Sequence, residues 1–315
     1  MSRVKLGRVL RVGFLLLALG LLVAALVDSG PQALDAAADV GVARTAGSLA
    51  AVLVGLLASA LVWRALLRDL GAPLGLRAAL HVFFVGQLGK YVPGSVFAVA
   101  AQMELGRDQG LSRSRVGTAS LLFMGVLVAA GLLAAVVALP LTSPDALDSY
   151  GWALALLPVG LLLLAPPVLT RLVQTALRVL GRDPLERPLS WSGTAGALGW
   201  ALVVWAAYGV HLLLLVQPQD GGAGAGLLLC LGAYALAWTV GFLFVVAPAG
   251  AVVREAALVV ALAPVLDRPA ALAVALVSRV LMTLGDLLWG AAGAALRPPV
   301  VHSASVQQPG KAADV

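Results

Sequence analysis

Long apolar runs recur along this chain of 315 residues and restrict what it can fold into. As helices rising 1.5 Å per residue, six of them are long enough to cross a hydrocarbon core of roughly 30 Å. They span residues 9–27, 46–66, 116–139, 151–169, 194–216 and 270–296. Because the runs are continuous and rich in Leu, Ala and Val, they favour helices over the alternating strands of a barrel. We therefore predict an all-α polytopic membrane protein, in agreement with a mean hydropathy of +1.00.

Proline and glycine interrupt two further apolar regions near their middle. Residues 76–106 are broken at Pro93-Gly94, and residues 226–264 are broken at Pro248-Ala249-Gly250. Neither half of either region is comfortably a spanning helix, so we expect each region to enter and leave the membrane on one side. The predicted fold is thus six full transmembrane helices plus two re-entrant broken-helix hairpins, or about eight hydrophobic segments.

The basic residues predict the orientation of the chain. With re-entrant hairpins, sixteen Lys and Arg residues fall on one side, and only Arg44 and Arg268 fall on the other. This positive-inside bias predicts that both termini are cytoplasmic. The sixteen are Arg3, Lys5, Arg8, Arg11, Arg64, Arg68, Arg77, Arg107, Arg113, Arg115, Arg171, Arg178, Arg182, Arg187, Arg297 and Lys311. Since the run 9–27 has no Ala-x-Ala cleavage site before the acidic loop that follows it, we expect a retained first helix rather than a signal peptide.

The order of the segments predicts an internal repeat. Segments starting at about 9, 46, 76 and 116 match segments starting at about 151, 194, 226 and 270. Aligning Pro93 with Pro248 also aligns Gly86 with Gly241. Three full crossings precede the second half, so halves of about 8–140 and 150–297 would be inverted relative to each other, as in many transporters. We expect one membrane domain over residues 1–297, an amphipathic helix within 170–192 and a disordered cytoplasmic tail at 298–315.

Lys90 and Tyr91 come directly before the first interruption, Pro93-Gly94. A charge at membrane depth is unfavourable unless it lines a polar cavity or meets an anion. The helix that begins after Pro93-Gly94 offers free backbone N–H groups that suit a phosphate. The alternative is that Lys90 extends to the cytoplasmic surface from a shallow loop.

Four more charged residues lie in apolar surroundings further along the chain. Arg254 and Glu255 follow the second interruption, where Arg254 could hold a lipid phosphate and Glu255 could orient it or a neighbouring cation. Arg279 and Asp286 are seven residues apart and share one face of the last helix. A purely structural pairing, of Arg279 with Glu255 and of Asp286 with Lys90 or Arg254, stays open as an alternative.

Other classes of function find little support in the sequence. The single cysteine, Cys230, excludes an internal disulfide and a thiolate metal cluster, and the three histidines are scattered. No H-E-x-x-H, G-x-S-x-G or ATP-binding G-x-x-x-x-G-K-[ST] motif is present. The basic residues lie singly or in pairs at the ends of apolar runs, which indicates membrane topology rather than nucleic-acid binding. We expect no cofactor, no metal and no enzyme activity.

Two segments together resemble a known family. They are "GKYVPGSVF" (89–97) and "PAGAVVREAAL" (248–258), with "SRVLMTLGDLLWG" (278–290) behind them. They are similar to the transmembrane region of lysylphosphatidylglycerol synthase, a flippase-like family, over roughly residues 8–297. The resemblance implies movement of aminoacylated phosphatidylglycerol, or another anionic or polyprenyl-linked lipid, between leaflets. The residues it implies are Lys90, Tyr91, Pro93, Gly94, Arg254, Glu255 and Arg279. The soluble aminoacyl-transfer domain of fused members is absent, so we expect no aminoacylation by this chain alone.

The sequence therefore predicts a lipid flippase with a phosphate site at the membrane midplane, formed by two opposed hairpins. Its expected partners are membrane lipids and, in addition, a separate lipid synthase. Two alternatives remain at this point. One is an integral membrane enzyme that modifies a lipid phosphate, and the other is a non-transporting partner of a lipid synthase.

Overall fold

A computed structural model describes residues 38, 40–91, 96–179, 181, 184–216, 223–243 and 253–299 of the chain. Over these residues the protein is helical and contains no strand, which confirms the predicted all-α class. The helices are α1 (Val42–Asp69), α2 (Leu76–Gln87), α3 (Val96–Arg107), α4 (Arg113–Ala138), α5 (Pro144–Tyr150), α6 (Leu157–Leu164), α7 (Pro166–Val179), α8 (Trp191–Val216), α9 (Ala223–Leu243), α10 (Val253–Leu262) and α11 (Arg268–Ala295). Short 3-10 segments cover Leu88–Tyr91, Pro140–Thr142 and Gly151–Leu156.

Six segments of the described chain are long and apolar enough to cross a membrane. Five coincide with predicted runs, and the predicted helix 9–27 lies outside the described residues. The sixth is Gly226–Leu243. The prediction that neither half of the second interrupted region reaches spanning length was therefore wrong for α9. This helix continues for 21 residues, because no proline occurs in it and Pro248 comes only after its end.

The predicted crossing at 151–169 has a different form from the one expected. The spanning segment runs from Pro144 to Leu164 as two α-helices joined by a 3-10 segment. It ends at Ala165, whose ψ of 132° is extended, because the residue before a proline is disfavoured in helical conformation. The linker helix expected within 170–192 is present as α7, which starts earlier, at Pro166. It buries Leu169 and Leu177 and exposes Arg171 and Arg178.

Helices α1 and α8 form the centre of the bundle and run antiparallel to each other. Near the start of α1, Arg44 Nε donates to the carbonyl oxygen of Leu214, near the end of α8, at 3.0 Å. At the other end, the carboxylate of Asp69 accepts hydrogen bonds from the backbone and side chain of Ser190, at 2.9 and 2.6 Å. The buried faces of both helices supply much of the apolar core.

Arginine side chains join several helix termini at one end of the bundle, which we call the basic end. Arg77, at the start of α2, donates to the carbonyl oxygen of Leu296, just after α11, at 3.1 Å. Arg187, just before α8, donates to the carbonyl oxygen of Arg68 at 3.0 Å. Arg115, at the start of α4, forms an ion pair with Glu186. The basic end thus includes the C-termini of α1 and α11 and the N-termini of α2, α4 and α8.

The two halves of each interrupted region pack against each other beside a glycine. A Cβ at Gly86 would lie 3.2 and 3.3 Å from the backbone N and Cα of Gln102. A Cβ at Gly241 would lie 2.8 and 3.3 Å from Cβ and Cα of Arg254. These are the two glycines that align when Pro93 is aligned with Pro248. In both pairs, glycine allows the second half to approach the backbone of the first.

Candidate functional site

Helix α11 carries two charged residues in its middle. It is 28 residues long, or about 40 Å at 1.5 Å per residue. Arg279 lies about 17 Å from its first residue and Asp286 about 14 Å from its last. The two are two turns apart, about 10 Å, and share a face. Residues beside both interruptions contact α11 at these positions.

Asp286 is bonded to both polar residues that precede the first interruption. Lys90 Nζ lies 2.8 Å from Oδ1 and 2.7 Å from Oδ2 of Asp286. The hydroxyl of Tyr91 donates to Oδ2 at 2.5 Å. Lys90 Nζ is also 5.5 Å from the centroid of the Tyr91 ring. Asp286 is only 6% exposed, whereas Lys90 is 32% exposed. The partner of Lys90 in this structure is therefore Asp286.

The packing of α2 along α11 places Lys90 at this depth. His81 Nδ1 lies 2.8 Å from the carbonyl oxygen of Gly293, one turn closer to the centre of α11 than the contact of Arg77 with Leu296. The helices run antiparallel, so the 3-10 segment at the end of α2 reaches Asp286. The predicted site residues Pro93 and Gly94 lie outside the described residues.

Arg254 has a neutral partner. Its Nη2 donates to the hydroxyl of Tyr234 on α9 at 2.6 Å, and its guanidinium carbon lies 5.0 Å from the centroid of the same ring. Arg254 also interacts electrostatically with Glu255, the next residue along the chain, and more weakly with Tyr91, which precedes the other interruption. None of the ion pairs formed within the described residues includes Arg254.

Glu255 and Arg279 form an ion pair, with Arg279 Nη1 at 3.1 Å from Oε1 of Glu255. Glu255 is 13% exposed and Arg279 is 27% exposed. The second carboxylate oxygen, Oε2, is buried and has no hydrogen-bond partner in the part of the chain that the structure describes. An unsatisfied buried acceptor is unfavourable by about 1–3 kcal/mol. The pair thus leaves one oxygen available for a donor.

A cluster of buried polar side chains, formed by His211, Ser48 and Ser278, packs against Tyr234. His211 on α8 is fully buried, with Nδ1 2.7 Å from Ser48 Oγ and Nε2 2.9 Å from Ser278 Oγ. Its ring packs edge-on against Tyr234, with centroids 5.6 Å apart. Helices α1, α8, α9 and α11 therefore hold the tyrosine that binds Arg254.

Sequence reasoning missed the role of this cluster. It treated His211 as scattered and did not select Ser48, Tyr234 or Ser278. The available signal was that each is a polar residue within a long apolar run and needs a partner there. The pairing of Lys90 with Asp286 and of Arg279 with Glu255 had been considered only as a structural alternative, and the structure contains both pairs.

Six helices long and apolar enough to cross a membrane define an integral membrane protein. Its paired charges lie where residues beside the two interruptions contact the middle of α11. The chain belongs to the family named for the transmembrane region of lysylphosphatidylglycerol synthase, whose model matches residues 8–290. The match confirms the resemblance seen in the motifs around Lys90 and Arg254. No curated protein matches the sequence significantly.

Proposed function

We propose that this protein moves a phosphate-bearing lipid between the leaflets of a membrane and holds the phosphate at Arg254. The observation that carries this proposal is the environment of that guanidinium. It lies near the middle of the bundle, bonded to the neutral hydroxyl of Tyr234. Within the described residues no carboxylate oxygen lies within 4 Å of its nitrogens. A half-buried guanidinium in apolar surroundings is stabilised by an anion, and phosphate is the anion that membrane lipids provide.

The contacts of the first interrupted region support a re-entrant hairpin. Helix α2 begins at the basic end, where Arg77 binds the terminus of α11. Helix α3 ends at the same end of the bundle, because Glu104 near its C-terminus forms an ion pair with Arg113, two residues before Arg115. Between them the chain reaches Asp286, about 14 Å along α11. An element that starts and ends on one side and reaches this depth fits a hairpin.

The second interrupted region fits a hairpin from the opposite side, although α9 has spanning length. Gly232 of α9 packs on Leu139 at the far end of α4, where a Cβ at position 232 would lie 2.7 Å from Leu139 Cγ. Thr239 packs on Gly131, about 10 Å into α4 from that end. Helix α9 ends four residues later, at Leu243, beside the middle of α4. Helix α10 then leads to Asp267, which caps the start of α11.

Equivalent contacts in the two halves support the inverted repeat. Gly131 of α4 packs on Trp205 of α8, and Gly285 of α11 packs on Leu56 of α1. Gly131 and Gly285 are 154 residues apart, as are the predicted segment starts 116 and 270. Leu56 and Trp205 are 149 residues apart, against 148 for the starts 46 and 194. A two-fold axis between the halves would superpose the contact of Gly131 with Trp205 on the contact of Gly285 with Leu56.

The proposed path for the lipid is lateral. Lys90 and Arg279 remain partly exposed at the middle of the bundle, so a headgroup can reach Arg254 while its acyl chains stay in the bilayer. In this proposal Lys90 exchanges Asp286 for the phosphate, and the start of α3 offers N–H groups to it. The proposed substrate-binding residues are Lys90, Tyr91, Pro93, Gly94, Arg254, Glu255, Arg279 and Asp286.

The proposed orientation places the basic end and both termini in the cytoplasm, and labelling of single cysteines tests it. Cys230 is the only native cysteine, so a Cys230→Ala chain serves as background. Gly75→Cys marks the basic end and Val265→Cys marks the opposite end. We expect a membrane-impermeant thiol reagent outside intact cells to label position 265 and to reach position 75 only after permeabilisation. Labelling of both positions in intact cells would contradict this topology.

Reconstitution tests the transport itself. Vesicles that contain the purified protein and trace fluorescent phospholipids are treated with a membrane-impermeant quencher. We expect the fraction of quenched lipid to rise from about half towards completeness over minutes, because lipid from the inner leaflet becomes accessible. Protein-free vesicles prepared in the same way are the control. Equal slow exchange in both preparations, for anionic phospholipids and polyprenyl phosphates alike, would contradict the proposal.

A further inference from the structure

Among the described residues, the charged side chains around Arg254 do not balance. Lys90, Arg254 and Arg279 contribute three positive charges, and Glu255 and Asp286 contribute two negative charges, which gives a net charge of +1. Residues 92–95 and 244–252, which complete the two interruptions in sequence, contain no Asp, Glu, Lys, Arg or His. They therefore leave this count unchanged.

The excess charge has a definite location. Both oxygens of Asp286 are bonded to Lys90 or Tyr91, and Arg279 is paired with Glu255. Arg254 is the cation that forms no ion pair within 4 Å among the described residues; it is hydrogen-bonded to the neutral Tyr234, and Glu255, with which it interacts electrostatically, is paired with Arg279. His211, the nearby titratable ring, bonds a serine hydroxyl through each ring nitrogen. This arrangement suits a neutral imidazole, which has one donor and one acceptor.

An unbalanced charge in a site of low polarity is unfavourable, and a ligand of opposite charge relieves it. A headgroup with one net negative charge makes the site neutral. A zwitterionic headgroup leaves the site at +1. A phosphomonoester carries about −1.5 to −2 at pH 7, which leaves an excess of negative charge beside Glu255 and Asp286.

We infer that this site selects lipids whose headgroup is a phosphodiester with a single net negative charge, in preference to phosphomonoester lipids and zwitterionic lipids. The inference rests on the proposed function for the role of Arg254. It narrows the substrate class. Polyprenyl phosphates fall outside it because they are phosphomonoesters, and aminoacylated phosphatidylglycerols fall outside it because their ammonium groups cancel the negative charge of the phosphodiester. The net charge of the five side chains, more than any one contact, determines the preference.

Binding of three lipids with identical acyl chains to the purified full chain in detergent micelles tests the inference. Phosphatidylmethanol carries one negative charge and no additional hydrogen-bonding group, phosphatidic acid carries more negative charge, and phosphatidylcholine is zwitterionic. We expect phosphatidylmethanol to bind about tenfold more tightly than either of the others, the order of effect of one unit charge several ångströms away.

Two charge variants sharpen the test, because they are expected to shift the lipid preference in opposite directions. Glu255→Gln raises the net charge to +2 and keeps an acceptor for Arg279, so we expect the ratio of affinities to move about tenfold towards phosphatidic acid. Arg254→Gln lowers the net charge to zero and should move the ratio about tenfold towards phosphatidylcholine. The double variant returns to +1 and should restore the preference for phosphatidylmethanol, at weaker overall affinity.

Glu186→Gln is the matched control, since it makes the same chemical change at the basic end, where Glu186 pairs with Arg115. Its affinity ratios should equal those of the wild type. Ratios that stay the same in Glu255→Gln and Arg254→Gln would overturn the inference, and so would a double variant that behaves like Arg254→Gln. The binding assay in micelles does not depend on transport. A protein that shows this binding preference but does not transport lipid would therefore refute the proposed function and leave the inference standing.

Discussion

Replacement of Arg254 by Gln is expected to reduce the rate of lipid transport by about a hundredfold, which corresponds to about 2.7 kcal/mol. Glutamine keeps a hydrogen-bond donor on a shorter side chain but removes the charge that would hold the phosphate. The hydrogen bonds of a guanidinium to a phosphate are charge-assisted and about twice as strong as neutral ones. The reconstituted quenching assay measures the change as an exchange rate per protein.

Two further variants make this result specific. Tyr234→Phe removes the hydroxyl that accepts from Arg254 but keeps the ring beneath it, so we expect a smaller loss, of about tenfold, the order of one hydrogen bond. Arg178→Gln makes the same substitution as Arg254→Gln on the exposed side of α7 and should transport lipid at the wild-type rate. An Arg254→Gln variant with undiminished transport would remove Arg254 from the site.

Substitution of Gly241 by Ala is expected to have the second large effect, on both stability and transport. The new Cβ would lie 2.8 and 3.3 Å from Cβ and Cα of Arg254. These atoms belong to a helix backbone and its first side-chain carbon, so no rotamer change relieves the contact, and α9 and α10 must separate. We expect stability to fall by about 1–3 kcal/mol, the range found for overpacked cores. Arg254 would move, and transport would fall with it.

A matched glycine shows whether the effect comes from the close contact. Gly199 lies within α8, and a Cβ there would meet no atom within 4 Å. Alanine is the better helix former by about 1 kcal/mol, so Gly199→Ala should raise the apparent melting temperature in detergent, whereas Gly241→Ala should lower it. Gly86→Ala should behave like Gly241→Ala, because the backbone of Gln102 lies at 3.2 Å. Equal melting temperatures for the Gly199 and Gly241 variants would contradict the close packing of α9 and α10.

The element predictions succeeded where the sequence signal is a continuous apolar run. The runs 46–66, 116–139, 194–216 and 270–296 became α1, α4, α8 and α11, with ends displaced by a few residues. The prediction failed in detail at Ala165, where the proline that follows acts on one local dihedral angle that hydropathy does not register. It also underestimated α9, because no proline interrupts residues 223–243 and Pro248 comes only after the helix ends.

The candidate site was predicted in part, for a physical reason. Lys90, Arg254, Glu255, Arg279 and Asp286 stand out because charge is rare and unfavourable in an apolar run. Their pairing did not follow, since the partner of a charge depends on which helices pack together and at what depth. Tyr234 and His211 stayed unnoticed because a neutral polar side chain interrupts an apolar run only weakly.

The sequence by itself determined that this protein is an all-helical membrane protein of the lysylphosphatidylglycerol synthase transmembrane family, with charged residues beside two interruptions and within its last apolar run. Hydrophobic length and local motifs carry that information, because burial in lipid acts on each segment separately. Only the tertiary structure decided that Asp286 neutralises Lys90, that Glu255 neutralises Arg279, and that Arg254 binds a neutral tyrosine. Most of these contacts join residues far apart in the chain, so the packing of α9, α10 and α11 determines which cation forms no ion pair among the described residues.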